Sequence, residues 1–508
     1  MQKDKITEDQ SRMRKFFETG EPIKLDKGKL ALLIIEWGIV ISIGVVCLLS
    51  LLTPANLDLL YALFFLSGLL ASTAQFWVIM ILFITISFAA SFFAVITINK
   101  LLRKYGAGVL KFSIIFITIL VWIILIIYVV FLIINGSGLE AFWWLIIPAF
   151  YTFTLIISFT RWKPALRRAG NILKLTGRLV HEEKELIVPA ILKIFLLGIL
   201  SSFLGLIDLS IMTWIYSLGL DEFIVWIIGI IIFFVESFYI VFNSKVLTAV
   251  NYAITYIWYR NKDPDLRDGF AVALYQMGDI AVFSLLEALI RTIRMILNQL
   301  SSKSGKTNPW TAAGFRLASG IIGSVWYYIN YFTLPSIVIE DKPTTKAIKS
   351  SVYRLYDNFA DVFIKETGVK MAFNLLTFLM VTIFLSGGVI FGQIIYWIYI
   401  FPVTGYVVDY GLMFGIVIIG AILFVFISTL ITRPVFMMYN DVYMAFLFGF
   451  ILDKESGFKL PIRMPEEFKN DWKAWFDHHP PIRRCPKCNN AVQPGEEFCK
   501  HCGTHVPL

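Results

Sequence analysis

The chain has 508 residues and a formal net charge of +9, with 58% apolar and 16% charged residues. Soluble domains contain about 45–50% apolar and about 25% charged residues, so an ordinary soluble protein is excluded. The 45 Phe, 21 Tyr and 14 Trp residues also exclude a disordered chain. This composition indicates an integral membrane protein.

Apolar runs long enough to cross a bilayer recur along the chain. A hydrocarbon core of about 30 Å requires about 20 residues of helix. Eight runs meet this length, at 30–53, 74–98, 107–134, 141–160, 186–207, 223–249, 371–397 and 411–432. Two more polar segments, 271–297 and 315–338, are further candidates. We therefore predict an all-α polytopic membrane protein with about ten transmembrane helices, or with eight if these two segments do not span.

Lysine and arginine residues are concentrated in alternate connections. Of 45 such residues, 37 lie in the segments 1–29, 99–106, 161–185, 250–270, 339–370 and 433–508. The opposite connections hold only Lys303 and Lys306. Because basic connections stay on the cytoplasmic side, we predict a multi-pass protein of the cell (plasma) membrane with both termini in the cytoplasm.

Changes in polarity divide the chain into five parts. We predict a cytoplasmic N-terminal segment (1–29), a four-helix membrane region (30–160), a six-span membrane domain (161–455), a tether (456–484) and a terminal module (485–508). The six-span domain includes two amphipathic stretches, which favour helices that shield the inner rim of the bundle. Their apolar stripes are Leu166, Ile172, Leu175 and Leu179, and Ile348, Val352, Leu355, Phe359 and Phe363.

The terminal module contains four of the five cysteines, as two Cys-x-x-Cys pairs: Cys485, Cys488, Cys499 and Cys502. Two such pairs can complete a tetrahedral shell of four sulfur ligands. The module cannot bury a core, so metal binding must supply its folding free energy, about 10–16 kcal/mol for structural zinc. We predict a short zinc ribbon that holds structural Zn²⁺, with iron in a rubredoxin-like site as the alternative.

Three loose motifs occur between residues 161 and 455. They are His181-Glu182-Glu183-Lys184-Glu185-Leu186; Asp263-Pro264-Asp265-Leu266-Arg267-Asp268-Gly269; and Trp326, Pro335 and Glu340 followed by Ala347-Ile348-Lys349-Ser350-Ser351. With these motifs the chain resembles an uncharacterised family of multi-pass prokaryotic membrane proteins, and its terminal module resembles short prokaryotic zinc ribbons. The resemblance implies no activity, so no site residue is carried over.

Ionisable residues inside the predicted spans are candidates for a functional site, because charge is costly in hydrocarbon. Glu236 lies at the midpoint of its span. Glu287 and Arg291 are four residues apart and can pair. Two interpretations stay open: the polar residues line a transport path, or, as we favour, they pair as contacts between helices. The residues of this path are Glu236, Asn243, Asp279, Glu287, Arg291 and Arg316.

Other polar and small residues in the spans have simpler explanations. Lys111, Lys193 and Lys245 lie near the inner ends of their spans, from which a lysine can reach the headgroups. Small residues four apart are typical of close helix contacts. Three such pairs occur, Ser319 and Gly323, Gly388 and Gly392, and Gly411 and Gly415.

The function predicted from the sequence follows from these modules. No catalytic motif is present, so no enzymatic activity and no catalytic residue are predicted. The first hypothesis is an integral membrane scaffold or adaptor whose cytoplasmic zinc ribbon binds a cytosolic protein. The alternative is a channel or transporter that uses the polar path around Glu236, and a third hypothesis is a lipid-handling enzyme. The expected partners are the lipid bilayer and a cytosolic protein. The sequence is compatible with a homo-oligomer, and nucleic acid is not expected as a partner.

Overall fold

The computed structural model describes residues 16–17, 23–51, 74–134, 146–305, 308–397, 410–456, 483–484, 491–492 and 502–504. Nearly all of these residues are helical. Within them, the strands β1 (Arg483–Arg484) and β2 (Ala491–Val492) pair antiparallel. Apart from these two short strands, the regular secondary structure of the described residues is helical.

The described residues form fifteen α-helices. In chain order they are α1 (Lys27–Leu51), α2 (Ala74–Ile134), α3 (Ile146–Phe159), α4 (Lys163–Glu182), α5 (Ile187–Phe195), α6 (Ser201–Ser217), α7 (Glu222–Tyr259), α8 (Leu266–Tyr275), α9 (Met277–Ser304), α10 (Pro309–Ile329), α11 (Thr333–Glu340), α12 (Thr344–Asp357), α13 (Phe359–Ile364), α14 (Lys370–Ile395) and α15 (Tyr410–Ser456). A π-helical turn, Lys365–Val369, links α13 to α14. Asp221, Asp265 and Asn308 accept hydrogen bonds from first-turn N–H groups and so begin α7, α8 and α10.

Six helical stretches among the described residues are long and apolar enough to cross a membrane, which indicates a membrane protein. They are Lys27–Cys47, Phe93–Val130, Lys184–Ser217, Glu222–Tyr259, Phe359–Ile395 and Met413–Glu455. The segments 271–297 and 315–338 coincide largely with α9 and α10, which are not among the six. The total of ten spans therefore stays a prediction.

The predicted spans 74–98 and 107–134 are joined by helix and not by a loop. α2 continues through residues 99–106, where only Tyr105 departs from helical torsion angles, with φ −122° and ψ 19°. The joining residues include Lys, Leu and Arg, which are strong helix formers. The basic segment therefore contains a kink at Tyr105, where two helical stretches meet.

α7 is much longer than a bilayer is thick, and its two ends lie in different surroundings. Its 38 residues extend about 57 Å, against a hydrocarbon core of about 30 Å. Phe223 and Val235 in the first half are 64% and 57% exposed. Every residue from Val246 to Arg260 is buried. The first half thus presents apolar side chains outward, and the second half lies inside a protein core.

α15 repeats this division. Residues 441–451 are all buried, together with residues 331–339 around α11. We call the end of the bundle formed by residues 246–260, 331–339 and 441–451 the core end. The other half of α15 carries one exposed apolar stripe, which is the pattern of a lipid-facing surface. This stripe consists of Phe414, Ile418, Ile422 and Phe426.

The first amphipathic stretch forms α4, whose apolar face packs against protein at the core end. A Cβ atom on Gly177 would lie 2.8 Å from the backbone nitrogen of Arg103, so the glycine allows α4 to approach α2 closely. The buried side chains of α4 include the whole predicted stripe, Leu166, Ile172, Leu175 and Leu179.

The second amphipathic stretch forms α12 and α13, and its buried face differs from the predicted stripe. Val352 and Phe359 are 42% and 50% exposed. The side chain of Arg354 points inward instead, because the carboxylates of Glu340 and Glu455 neutralise its charge. The periodicity of apolar residues cannot predict such a pairing. The buried face of α12 consists of Thr344, Ala347, Ser351 and Arg354.

Small residues bring α14 and α15 together. A Cβ atom on Gly388 would lie 2.7 Å from the Cα atom of Ala421. Gly415 instead has open space around it. Of the glycines singled out in these two helices, Gly388 therefore lies in a close contact and Gly415 does not.

Candidate functional site

A groove of about 600 Å³ runs between α7 and α9. Residues three and four apart share one face of a helix, so α7 presents Glu236 to the groove and α9 presents two arginines. A hydrogen bond of 3.0 Å from Trp226 Nε1 to Gln299 Oε1 joins the same two helices. The groove is lined by Phe233, Glu236, Ser237, Ile240, Arg291, Arg294, Met295, Asn298, Gln299 and Ser302.

A cavity of about 500 Å³ lies beside the groove, toward the core end. Its walls come from α7, α9, α10, α11, the π-helical turn and α15. Arg291 and Arg294 line both the groove and the cavity. The other charged residues of the lining are Lys245, Glu287, Lys365 and Asp441, and its aromatic residues are Tyr252, Phe283, Trp326, Tyr327 and Tyr331.

Glu287 binds two cations at the wall of the cavity. Its carboxylate oxygens lie 3.0 Å from Lys245 Nζ and 2.8 Å from Arg291 Nη2. Lys245 Nζ also lies 5.0 Å from the centre of the Phe283 ring. The pair predicted between residues 287 and 291 is therefore present, and Lys245 joins it from the neighbouring helix.

The wall opposite Glu287 holds a second carboxylate with fully buried partners. Asp441 of α15 forms an ion pair with Lys193 of α5, whose side chain is only 4% exposed. The amide of Asn251 donates a further hydrogen bond of 3.2 Å to Asp441. Three helices thus converge on one carboxylate, and both charges of the pair are satisfied.

The π-helical turn supplies the third charged pair near the cavity. Lys365 Nζ lies 2.8 Å from Glu366 Oε1, and the Tyr331 hydroxyl donates to the same oxygen at 2.9 Å. Lys365 also lies 5.1 Å from the centre of the Tyr331 ring. This arrangement fixes an ammonium group at the cavity wall.

Arg294 differs from these cations because it has no carboxylate partner among the described residues. Its Nε donates a hydrogen bond of 3.2 Å to the backbone oxygen of Ser319 on α10. A Cβ atom on Gly323 would lie 2.5 Å from the guanidinium carbon, so the glycine makes room for the side chain. The small residues Ser319 and Gly323 therefore accommodate an arginine that faces the groove and the cavity.

Three of the predicted path residues lie elsewhere. Asn243 accepts a hydrogen bond of 2.7 Å from Trp37 Nε1, on the side of α7 that faces α1. Asp279 accepts a 2.8 Å bond from the backbone N–H of Thr344 and so helps to begin α12. Arg316 donates 3.1 Å to Ser301 Oγ between α9 and α10. The structure brings Glu236, Glu287 and Arg291 together at the groove and the cavity, and not these three.

Several residues of the site were not expected from the sequence. The interpretation of Lys193 and Lys245 as lysines that reach the headgroups was wrong, because both form ion pairs between helices. Lys365 and Asp441 were not identified as candidates. Asp441 lies in the apolar segment 433–450, and its charge within that segment was the available signal. A carboxylate within an otherwise apolar helix predicts a partner.

An ion-pair cluster at the core end lies beside the cavity and joins three helices. Arg354 of α12 binds Glu340 of α11 and lies 2.7 Å from Glu455 of α15. The Phe448 ring centre is 5.0 Å from its guanidinium carbon. Burial by itself would raise the pKa of Glu340, but Arg354 and Lys342 together lower it to about 2. The cluster is therefore charged over a wide pH range.

The described residues of the terminal module are few. Cys485, Cys488 and Cys499 lie outside the described residues, whereas Cys502 lies within them. Gly503, directly after Cys502, has a positive φ of 70°, which glycine adopts readily. The pairing of β1 with β2 flanks the segment that contains Cys485 and Cys488. The antiparallel strand pair and the glycine after the last cysteine are thus what the structure describes of the terminal module.

A model of a family of unknown function, DUF6159, matches residues 223–458. The matched region includes every residue that lines the groove and the cavity. It also includes the second and third motifs on which the resemblance to an uncharacterised family rests, whereas residues 181–186 precede it. No curated protein matches the chain.

Proposed function

We propose that the chain is a channel or transporter that moves a small polar solute along the groove and the cavity. The observation that carries this proposal is that the groove and the cavity share Arg291 and Arg294 in their linings. On α9 the lining of the groove and the cavity extends from Phe283 to Ser302, a rise of about 28 Å for nineteen residues of helix. Such a length is comparable to the hydrocarbon thickness of about 30 Å.

The cost of charge in a membrane supports a hydrated path. Arg291 is 47% exposed at its side chain, and Arg294 is exposed as well. An arginine at the centre of a spanning helix costs about 2.5–3.5 kcal/mol on insertion scales unless water or a partner reaches it. Arg291 has Glu287 as a partner, whereas Arg294 has no carboxylate partner among the described residues and therefore favours water in the groove.

The proposal includes α9 and α10 as spanning helices, which together with the eight apolar runs of the sequence makes the ten predicted spans. The hydrogen bond between Trp226 and Gln299 supports this, because it puts the end of α9 level with the beginning of α7. We further propose that the core end faces the cytoplasm of a prokaryotic cell, with the chain in its plasma membrane. Lys262 donates to the backbone oxygens of Phe16 and Phe17, which supports an N-terminal segment on the same side as the basic connections.

The test is flux into proteoliposomes that contain the full-length protein and entrapped chloride-sensitive and pH-sensitive dyes. We expect flux above that of protein-free liposomes with at least one dye. Glu236→Gln and Arg291→Ala should each reduce it several-fold, because they remove charge from opposite walls of the groove. Absence of flux with both dyes would refute the proposal for these solutes.

The matched control is Lys111→Gln, which removes a charge from an exposed position on α2 outside both openings. Flux should be unchanged in this variant. Equal flux in the wild type, Glu236→Gln and Arg291→Ala would show that the groove is not the path. All variants are compared at equal reconstituted protein.

A second candidate function is a membrane scaffold or adaptor whose cytoplasmic zinc ribbon binds a cytosolic protein. The positive φ of Gly503 after Cys502 and the β1–β2 pair favour the ribbon. In it, Cys485, Cys488, Cys499 and Cys502 would hold one structural Zn²⁺, and no ligand position would be left for a substrate.

Metal analysis and a pull-down test this second function. One equivalent of zinc per chain is expected, and Cys488→Ser should lose it, whereas Cys47→Ser should retain it. Iron in place of zinc would identify the rubredoxin-like alternative. A set of captured cytosolic proteins that is unchanged by removal of residues 485–508 would refute the adaptor function.

A further inference from the structure

We propose that the cavity binds a phosphate monoester, with the phosphate group at Arg294 and Lys245. The inference rests on the proposed function in that it names the ligand class of the same site. A phosphate monoester occurs both as a soluble solute and as the headgroup of phosphatidic acid. The shared chemistry is a dianion with several acceptor oxygens.

The charge of the cavity favours a dianion. The carboxylates at its walls are Glu287 and Asp441, and Glu366 pairs with a lining lysine. Among the described residues, the cations that line the cavity or pair with Glu287 or Asp441 exceed these three carboxylates by two. These cations are Lys193, Lys245, Arg291, Arg294 and Lys365.

Arg294 is the residue at which this excess positive charge is available to a ligand. Lys193 and Lys365 each have a carboxylate of their own, whereas Lys245 and Arg291 share Glu287. Arg294 bonds only to a backbone oxygen. An arginine presents several donors in a planar fork and binds phosphate oxygens in pairs.

The shape of the two openings limits where the ligand lies. A volume of about 500 Å³ is within the range of small-molecule sites. Glu236, which contacts Asp208, puts a carboxyl group and not a cation at the far wall of the groove, so the phosphate belongs on the cavity side of Arg294, where Lys245 also lines the cavity. Phe233, Ile240 and Met295 in the groove could contact an apolar tail.

Binding to the purified full-length protein tests the inference in two arms. The soluble arm measures glycerol 3-phosphate by calorimetry in detergent, with glycerol as the control. The lipid arm measures retention of phosphatidic acid by mass spectrometry, with the protein in nanodiscs of phosphatidylcholine with and without phosphatidic acid. Saturable binding in one arm only assigns the source, and saturable binding in either arm supports the proposal.

Variants identify the site. Arg294→Gln and Lys245→Gln should each weaken binding about 10- to 100-fold, since each removes a charge-assisted hydrogen bond to the phosphate. Arg294→Lys should recover part of the loss. Arg178→Gln, at an exposed pair on α4, and Lys111→Gln should bind as the wild type does. Thermal unfolding of each variant shows whether it is folded.

The outcomes separate this inference from the proposed function. Absence of binding in both arms overturns the inference, and so does binding that is indifferent to Arg294→Gln and Lys245→Gln. Flux without phosphate binding would overturn the inference and leave the transport path. Phosphate binding without flux would leave the inference and overturn the path.

Discussion

Replacement of Arg354 by leucine should destabilise the core end more than any exposed ion-pair substitution. The Arg354 side chain is 5% exposed and binds Glu340, Glu455 and the hydroxyl of Ser336. Leucine retains the packing volume near Phe448 but removes the charge. Glu340 would then be left largely buried, with only Lys342 as a cationic partner 3.0 Å away.

The magnitude follows from the burial of the cluster. Removing one partner of a buried ion pair costs about 3–5 kcal/mol, because the other charge stays buried without compensation. The matched control is Arg178→Leu on α4, where the pair with Glu182 is 2.6 Å long but 44% exposed at the arginine. An exposed pair contributes about 0–1 kcal/mol.

Thermal unfolding in detergent, followed by circular dichroism, measures the difference. We expect a clear loss of Tm for Arg354→Leu and little change for Arg178→Leu. The double variant Arg354→Leu/Glu340→Leu should regain part of the loss, since the uncompensated carboxylate is removed. Equal Tm values for the wild type and Arg354→Leu would refute the reasoning, and so would a double variant less stable than the sum of its parts.

Three further predictions concern other contacts. Because the folded pKa of Glu340, about 2, is below its ordinary 4.5, its stabilisation is complete above pH 4.5 and lost as the pH falls toward 2. The wild type should therefore lose about 3 kcal/mol more than Glu340→Gln over that interval in a pH series of unfolding. Lys193→Met should lower Tm strongly, and Lys193→Met/Asp441→Leu should recover much of the loss, as measured by the same unfolding. Gly388→Ala should lower Tm, because its Cβ would lie 2.7 Å from the α15 backbone, whereas Gly415→Ala in open space should not.

The membrane-spanning helices could be predicted because hydropathy is a local property. The run 223–249 needs only its own composition to be recognised, and the structure contains it within α7. The C-terminal end of α7 could not be predicted from local composition in the same way. Residues 250–259 continue the helix because Phe17, α8 and α15 bury them at the core end, and those partners are distant in sequence.

The polar site was only partly predictable for the same reason. Glu287 and Arg291 were paired correctly because a spacing of four is visible within one helix. Lys245 was assigned to the headgroups, since its partner Glu287 lies on another helix. Asn243 shares a sequence face with Glu236, yet its side chain bonds to Trp37 of α1. Pairings between helices depend on their packing, which a single sequence does not specify.

The position of the cavity follows from the two environments along the long helices. Up to Val235, α7 carries exposed apolar side chains, and from Val246 to Arg260 every residue is buried in protein. Between these levels burial is mixed, and Ser244 and Lys245 are only partly buried. Lys245 lies in this zone, where it meets Glu287. Charged side chains collect there because each finds a partner across the gap between helices, and the Arg294 guanidinium, which has no carboxylate among the described residues, is the group most available to an anion.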